Sequence, residues 1–248
     1  MKLIKINDNS KGGLCCSASI DPSIGCKNKC IGCYAAKASR IGGKFFELEP
    51  ILKEYDDVEF RKDCKRYIRK GIHFIRLGKF CDAGDPALTG TVSKILKAAT
   101  DENIRIIFVS KSLGEQEEIA KALIEGNHML HMSLGMITEA QSNESRLGVW
   151  RFYKDKNVNA KLRIVEDVTR PVPDFYKKVN AEDTIFTPMR FASKTDIEAY
   201  GAVIDRFKFV SGYYRPIGMH QSWLEYIQAG CCGEIGESIF CCNCGLSQ

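Results

Sequence analysis

The chain has 248 residues, 44% of them hydrophobic and 27% charged, with a formal net charge of +5. That length and balance suit one domain with a sizeable core, exclude a disordered or low-complexity chain, and leave no apolar run long enough to cross a membrane. The opening eight residues lack the apolar stretch and small-residue cleavage site of a secretory signal, so a cytoplasmic location is expected.

In chain order, a first candidate strand at 14–20 leads into the loop Gly25-Cys26-Lys27-Asn28-Lys29-Cys30-Ile31-Gly32-Cys33-Tyr34. The run 61–70 carries six basic residues against one acidic, with Cys64 and Ile68 on one helical face. A solvated helix surface is the ordinary reading of such a run, and contact with a nucleic acid backbone is the sharper one. Further candidate strands are 72–77, 104–109, 129–134, 161–165 and 184–186. Helical patterns at 91–99, 115–125, 139–153 and 194–207 lie between or after them, with apolar residues returning at three and four. Strand followed by helix, repeated, predicts an α/β fold with a parallel sheet. Parallel sheets of this kind build their sites where the strands end at their C-terminal edge, and the cysteine loop follows the first strand there.

Twelve cysteines in a reducing compartment are poorly explained by disulfides. Six of them stand in adjacent pairs, Cys15-Cys16, Cys231-Cys232 and Cys241-Cys242, which bridge each other only with strain; metal binding is the better reading. A closed structural zinc site needs four protein ligands, and the loop offers three, Cys26, Cys30 and Cys33. Three thiolates can hold three corners of a 4Fe–4S cube and leave the fourth iron open. A zinc site completed by a distant Cys or His, or a disulfide cluster, is the alternative.

The Cys26-x3-Cys30-x2-Cys33 spacing resembles that of the radical S-adenosylmethionine (radical SAM) superfamily. The Cys-Tyr-Ala ending is similar to its spore-photoproduct-lyase-like and phage- or plasmid-borne branches. The resemblance covers roughly residues 14–190. It implies a partial (β/α)6 TIM-like barrel, a 4Fe–4S cluster whose open iron binds SAM, and reductive cleavage of SAM to a 5′-deoxyadenosyl radical that abstracts hydrogen from a substrate. It also implies an electron donor such as flavodoxin or ferredoxin. After the second strand, Ala83-Gly84-Asp85-Pro86 stands where the family carries Gly-Gly-Glu-Pro, so Ala83, Gly84 and Asp85 are expected to hold the SAM amino group; a plain turn is the alternative. Ser110 and Lys111 end the third strand, Ser133 the fourth, and Arg163 and Glu166 the fifth; these are expected near the SAM methionine, ribose and carboxylate. The residue before the third cysteine, usually aromatic in the family, is Gly32, with Tyr34 displaced to the far side of Cys33 as a candidate adenine contact. Cys81 is a candidate hydrogen-atom donor, as in the photoproduct-lyase branch, against the reading of a small buried apolar residue.

The tail holds Cys231-Cys232-Gly233 and Cys241-Cys242-Asn243-Cys244-Gly245. With Cys241-x2-Cys244 as its core and Cys231 or Cys232 beside it, this is expected to bind an auxiliary 4Fe–4S cluster, zinc being the alternative. The expected organisation is a radical SAM domain at 1–220 and a cysteine-rich extension at 221–248. Substrate remains open between nucleic acid, peptide and small molecule. Two rival functions fit fewer residues: a non-catalytic zinc protein gripping nucleic acid through 61–70, and a two-cluster electron carrier, in which the Ala83–Pro86 loop would be superfluous.

Overall fold

The computed structural model describes residues 2–8, 18–28, 30, 33, 35–36, 49–135, 142–210, 212–235 and 238–241. A seven-stranded sheet organises them: β1 (Ile6–Asp8), β2 (Ala18–Ile20), β5 (Phe74–Leu77), β6 (Arg105–Ser110), β7 (Met129–Gly135), β8 (Asn159–Glu166) and β9 (Thr184–Pro188), in that order across the sheet. From β2 to β9 every neighbouring pair is parallel; β1 joins β2 antiparallel. A short antiparallel pair, β3 (Ser23–Ile24) and β4 (Ile51–Leu52), lies beside the cysteine loop in sequence. Helices α1 (Asp57–Ile68), α2 (Thr89–Asp101), α3 (Glu117–Glu125) and α4 (Asn143–Asp155) fill the connections.

Six parallel strands in chain order, with no reversal, wind the crossovers one way. One core results. Val92, Leu96, Ile119, Leu123, Leu147 and Tyr153 of the helices pack on Ile75, Leu77, Ile106, Phe108, Leu130, Met132, Leu162 and Ile164. The intervening strand residues point to the opposite face, where Ile107, Val109 and Ile185 form their own cluster with Phe74 and Met129.

Each helix stops by the same device. Gly71, Asn103, Asn127 and Asn157 take positive φ, and the amide after each reaches back five residues, as in Ile104 N to Ala99 O at 2.8 Å and Val158 N to Tyr153 O at 3.0 Å. This is the Schellman turn, in which glycine or asparagine accepts the left-handed conformation and the next apolar residue docks on the core. It delivers the chain into the following strand.

Two expectations are corrected. The helix expected over 194–207 ends as α5 (Lys194–Ala199), because Gly201 at φ +74° closes the same turn; a 3-10 turn at Ile204–Arg206 and strand β10 (Phe207–Val210) follow. The basic run on α1 is not a free cationic face. Arg61 pairs with Asp57, Asp101 and Glu102, Lys62 with Glu59, Lys65 with Glu102, Arg66 with Asp63 and Lys70 with Asp8. The bland reading of that helix as a solvated surface is the one its charges fit.

Beyond β9, β10 pairs antiparallel with β11 (Tyr213–Pro216), and α6 (Leu224–Ala229) leads to the hairpin β12 (Cys232–Ile235) and β13 (Ser238–Cys241). Trp223, Tyr226, Ile227, Cys231 and Ile235 belong to the same core as the sheet. Among the described residues no helix is long and apolar enough to cross a membrane.

Candidate functional site

The strand ends converge on one buried carboxylate that sequence reasoning passed over. Asp82 Oδ1 accepts from Ser110 Oγ at 2.5 Å and Gly84 N at 3.0 Å. Its Oδ2 accepts from Asn28 Nδ2 at 2.7 Å, Lys111 N at 2.8 Å, Ser112 N at 3.1 Å and Ser112 Oγ at 3.2 Å. Three loops, after β3, β5 and β6, thus meet at one side chain. The signal was present in the sequence as a second acid three residues before Asp85, but a carboxylate's partners are set by the fold.

Gly84 and Ala83 lie under this network. A Cβ added at Gly84 would run into Ser110 Oγ and come within 2.7 Å of Leu113 N, so the position admits only glycine without movement. Asp85 caps the 3-10 turn Pro86–Leu88, accepting from Ala87 N at 3.0 Å, and its Oδ2 lies 3.4 Å from Lys27 Nζ, whose side chain is half exposed. Asp85 itself is buried, so the pair joins an exposed ammonium to a buried carboxylate.

A second group lies on the sheet face opposite the helices. Ser133 of β7 is level with Arg163 of β8. Ser110 is level with Met132, so the next residue, Lys111, comes level with Ser133. Lys111, Ser133 and Arg163 therefore form one row across three strands at their C-terminal ends. Ser133 and Arg163 are buried, and the Lys111 amine is buried toward the Cys30 thiol. Burial lowers the Lys111 pKa, opposed by the nearby Cys30 thiol. Glu166, at the end of β8, is pushed upward by burial and accepts Tyr200 Oη on both oxygens at 2.6 Å, with Lys111 acting in the opposite sense. Thr187 Oγ1 and Tyr176 Oη are buried near these ends without hydrogen-bond partners among the described residues.

Cys26, Cys30 and Cys33 are half-buried free thiols on the loop above. Burial pushes Cys26 up to about 12, with Asp82, Cys30 and Cys33 adding to the effect; Cys30 is raised by burial and eased by Lys111. The three thiols are thus within electrostatic reach of each other. Among the described residues no three Cys, His, Asp or Glu side chains converge tightly enough to hold a single metal ion. The donor set still fits a cluster: thiols alone, three of them, with a buried cation beside one to oppose thiolate charge. Tyr34 lies outside the described residues.

Cys81 is buried, and its thiol reaches Asp21 Oδ1 at 3.5 Å; the same oxygen takes the Lys79 and Phe80 amides at 2.7 and 2.6 Å. Burial and Asp21 hold the Cys81 pKa well above that of a free thiol. In the tail, the hairpin register sets Cys232 directly opposite Cys241, whereas Cys231 is buried in the core and bridges to Phe186 of β9. Cys244 lies outside the described residues.

No protein-family model matches the chain, and no curated protein matches it. Among solved structures it is similar to Streptococcus suis SuiB bound to precursor peptide SuiA, at 14% identity and a TM-score of 0.49. The match covers 68% of this chain and 38% of that one, so the chain spans well under half the length of that structure.

Proposed function

We propose that the chain is a radical SAM enzyme whose six parallel strands form a partial barrel around the cofactor. One observation carries the reading. The buried Lys111 amine, with the Cys30 thiol as its near neighbour, lies in one row with Ser133 and Arg163, toward the C-terminal ends of the strands. Two basic side chains and a hydroxyl buried together there fit a site that takes up an anionic, polar ligand.

Cys26, Cys30 and Cys33 would hold a 4Fe–4S cluster at three corners. When bound, that cluster supplies the electron that cleaves SAM to methionine and a hydrogen-abstracting radical. The chain's own residues bind and orient. Arg163 and Lys111 supply charge for the SAM carboxylate, and Ser133 a hydroxyl for the ribose. The Ala83–Gly84 backbone can approach the ligand closely because no side chain intervenes at 84, and Asp85 Oδ2 complements an ammonium. Ser110, pinned by Asp82, supports this loop rather than facing the ligand. Cys232 and Cys241 are the pair proposed for an auxiliary cluster, with Cys244 as a third ligand and an electron-donor protein as partner. The substrate is left unassigned between polynucleotide, peptide and small molecule.

The test is anaerobic reconstitution with iron and sulfide, iron counting, and an assay for 5′-deoxyadenosine with dithionite and SAM. The expected result is a brown protein that forms 5′-deoxyadenosine, with Cys26→Ala, Cys30→Ala and Cys33→Ala each abolishing it. A colourless protein that takes up zinc and cleaves no SAM would refute the reading.

A further inference from the structure

Asp82 receives more donors than any local turn requires. The Asx-type contact to Gly84 N closes its own loop, and that alone would be ordinary. The other partners are remote: Asn28 is 54 positions away in the cysteine loop, and Ser110, Lys111 and Ser112 are 28 to 30 positions away at the end of β6. A carboxylate has about four lone-pair sites, and six donors saturate both oxygens, so Asp82 has no capacity left for a ligand or a metal. Asn28 is itself buried, and its Nδ2 also donates to Ser112 Oγ at 2.8 Å, which doubles the strut between the cysteine loop and β6.

The geometry points to Asp82 as a positioning residue that locks the Cys26–Cys33 loop, the Ala83–Pro86 loop and the Lys111 strand end into one unit, so that occupancy of either loop alters the affinity of the other. This rests on the radical SAM reading for what the loops hold, and on the hydrogen bonds to Asp82 alone for the lock itself. Charge-assisted bonds from several loops to one buried acid make a stiff junction, because releasing any one loop leaves part of the carboxylate unsatisfied. Coupling between two binding sites through such a junction is reciprocal.

Asp82→Asn keeps the volume and turns two acceptors into one acceptor and one donor facing N–H groups. Hydrogen exchange on the metal-free protein reads the lock directly. Amides of 26–33 and 83–88 are expected to exchange at least tenfold faster than in the wild type, while those of β7 and β8 are unchanged. On reconstituted protein, the change that SAM makes to the reduced-cluster EPR signal is expected to need at least tenfold more SAM, at iron content within twofold of wild type. Asn28→Ala, which removes a single strut and spares the Gly84 side, should give the same loosening of 26–33 and decides the matter if Asp82→Asn does not fold. Unchanged exchange in both variants, or unchanged SAM dependence in a variant with normal iron content, overturns the inference. If wild-type protein forms no cluster, the radical SAM reading falls, and the exchange measurement alone still decides whether Asp82 is the lock.

Discussion

Gly84→Ala is the substitution whose outcome the structure fixes most tightly. The new methyl would overlap Ser110 Oγ and sit 2.7 Å from Leu113 N and 2.8 Å from Leu113 Cβ. Ser110 cannot swing aside freely, since its hydroxyl donates to Asp82 at 2.5 Å and accepts the Ser112 and Leu113 amides at 3.1 and 3.0 Å. Overpacking costs about 1–3 kcal/mol, and losing a hydrogen bond to a charged group about 1.5–3. Together the expected loss is about 3–5 kcal/mol, a large part of a total stability of about 5–15. Urea unfolding of the metal-free protein measures it, with the slope m checked for constancy. Gly148→Ala is the matched control: it lies within α4 with nothing within 4 Å of its would-be Cβ, and should gain about 0.5–1 kcal/mol. A Gly84→Ala loss under about 1 kcal/mol would mean that the loop does not pack on β6 as described.

Further outcomes can be checked independently. Lys111→Met should stabilise the metal-free protein, by about 1–3 kcal/mol for removing a basic group whose charge burial disfavours, while weakening SAM binding in titrations. Glu166 has a folded pKa raised by burial, so it binds more protons in the folded than the unfolded state above its ordinary value of 4.5. Its contribution is fully present below that pH and is lost as pH rises through the raised value. Melting temperatures of Glu166→Gln and wild type should therefore agree near pH 4 and diverge in the variant's favour as pH rises. Cys81→Ala removes a buried packing group and a weak bond to Asp21; SAM cleavage should continue at the wild-type rate, and a selective loss of substrate turnover would instead assign the thiol as hydrogen donor. Asn127→Ala should lose about 1–2 kcal/mol by chemical denaturation, because alanine resists the φ of +48° that asparagine adopts there, whereas Asn127→Gly should lose little.

The alternation of the parallel strands with helices was legible in the chain, because hydrophobic periodicity is a local pattern, and so was the cysteine spacing, which is primary structure. The helix ends were legible too: Asn or Gly followed by an apolar residue at 71–72, 103–104 and 157–158 is a local conformational choice. The stop at Gly201 was written in the chain but lost under the helical periodicity on either side. Residues 83–85, 110–111, 133 and 163 could be picked out because each lies in the C-terminal half of a strand or in the loop after it. How those strand ends meet is set by folding. The row of Lys111, Ser133 and Arg163 depends on register between strands that are 22 to 30 residues apart in the chain. The pairing of the α1 cations depends on Asp8, Asp101 and Glu102, which belong to other elements. Asp82 is the clearest case, because an acid's role follows from the donors that surround it, and five of its six come from loops far away in the chain and adjacent only after folding.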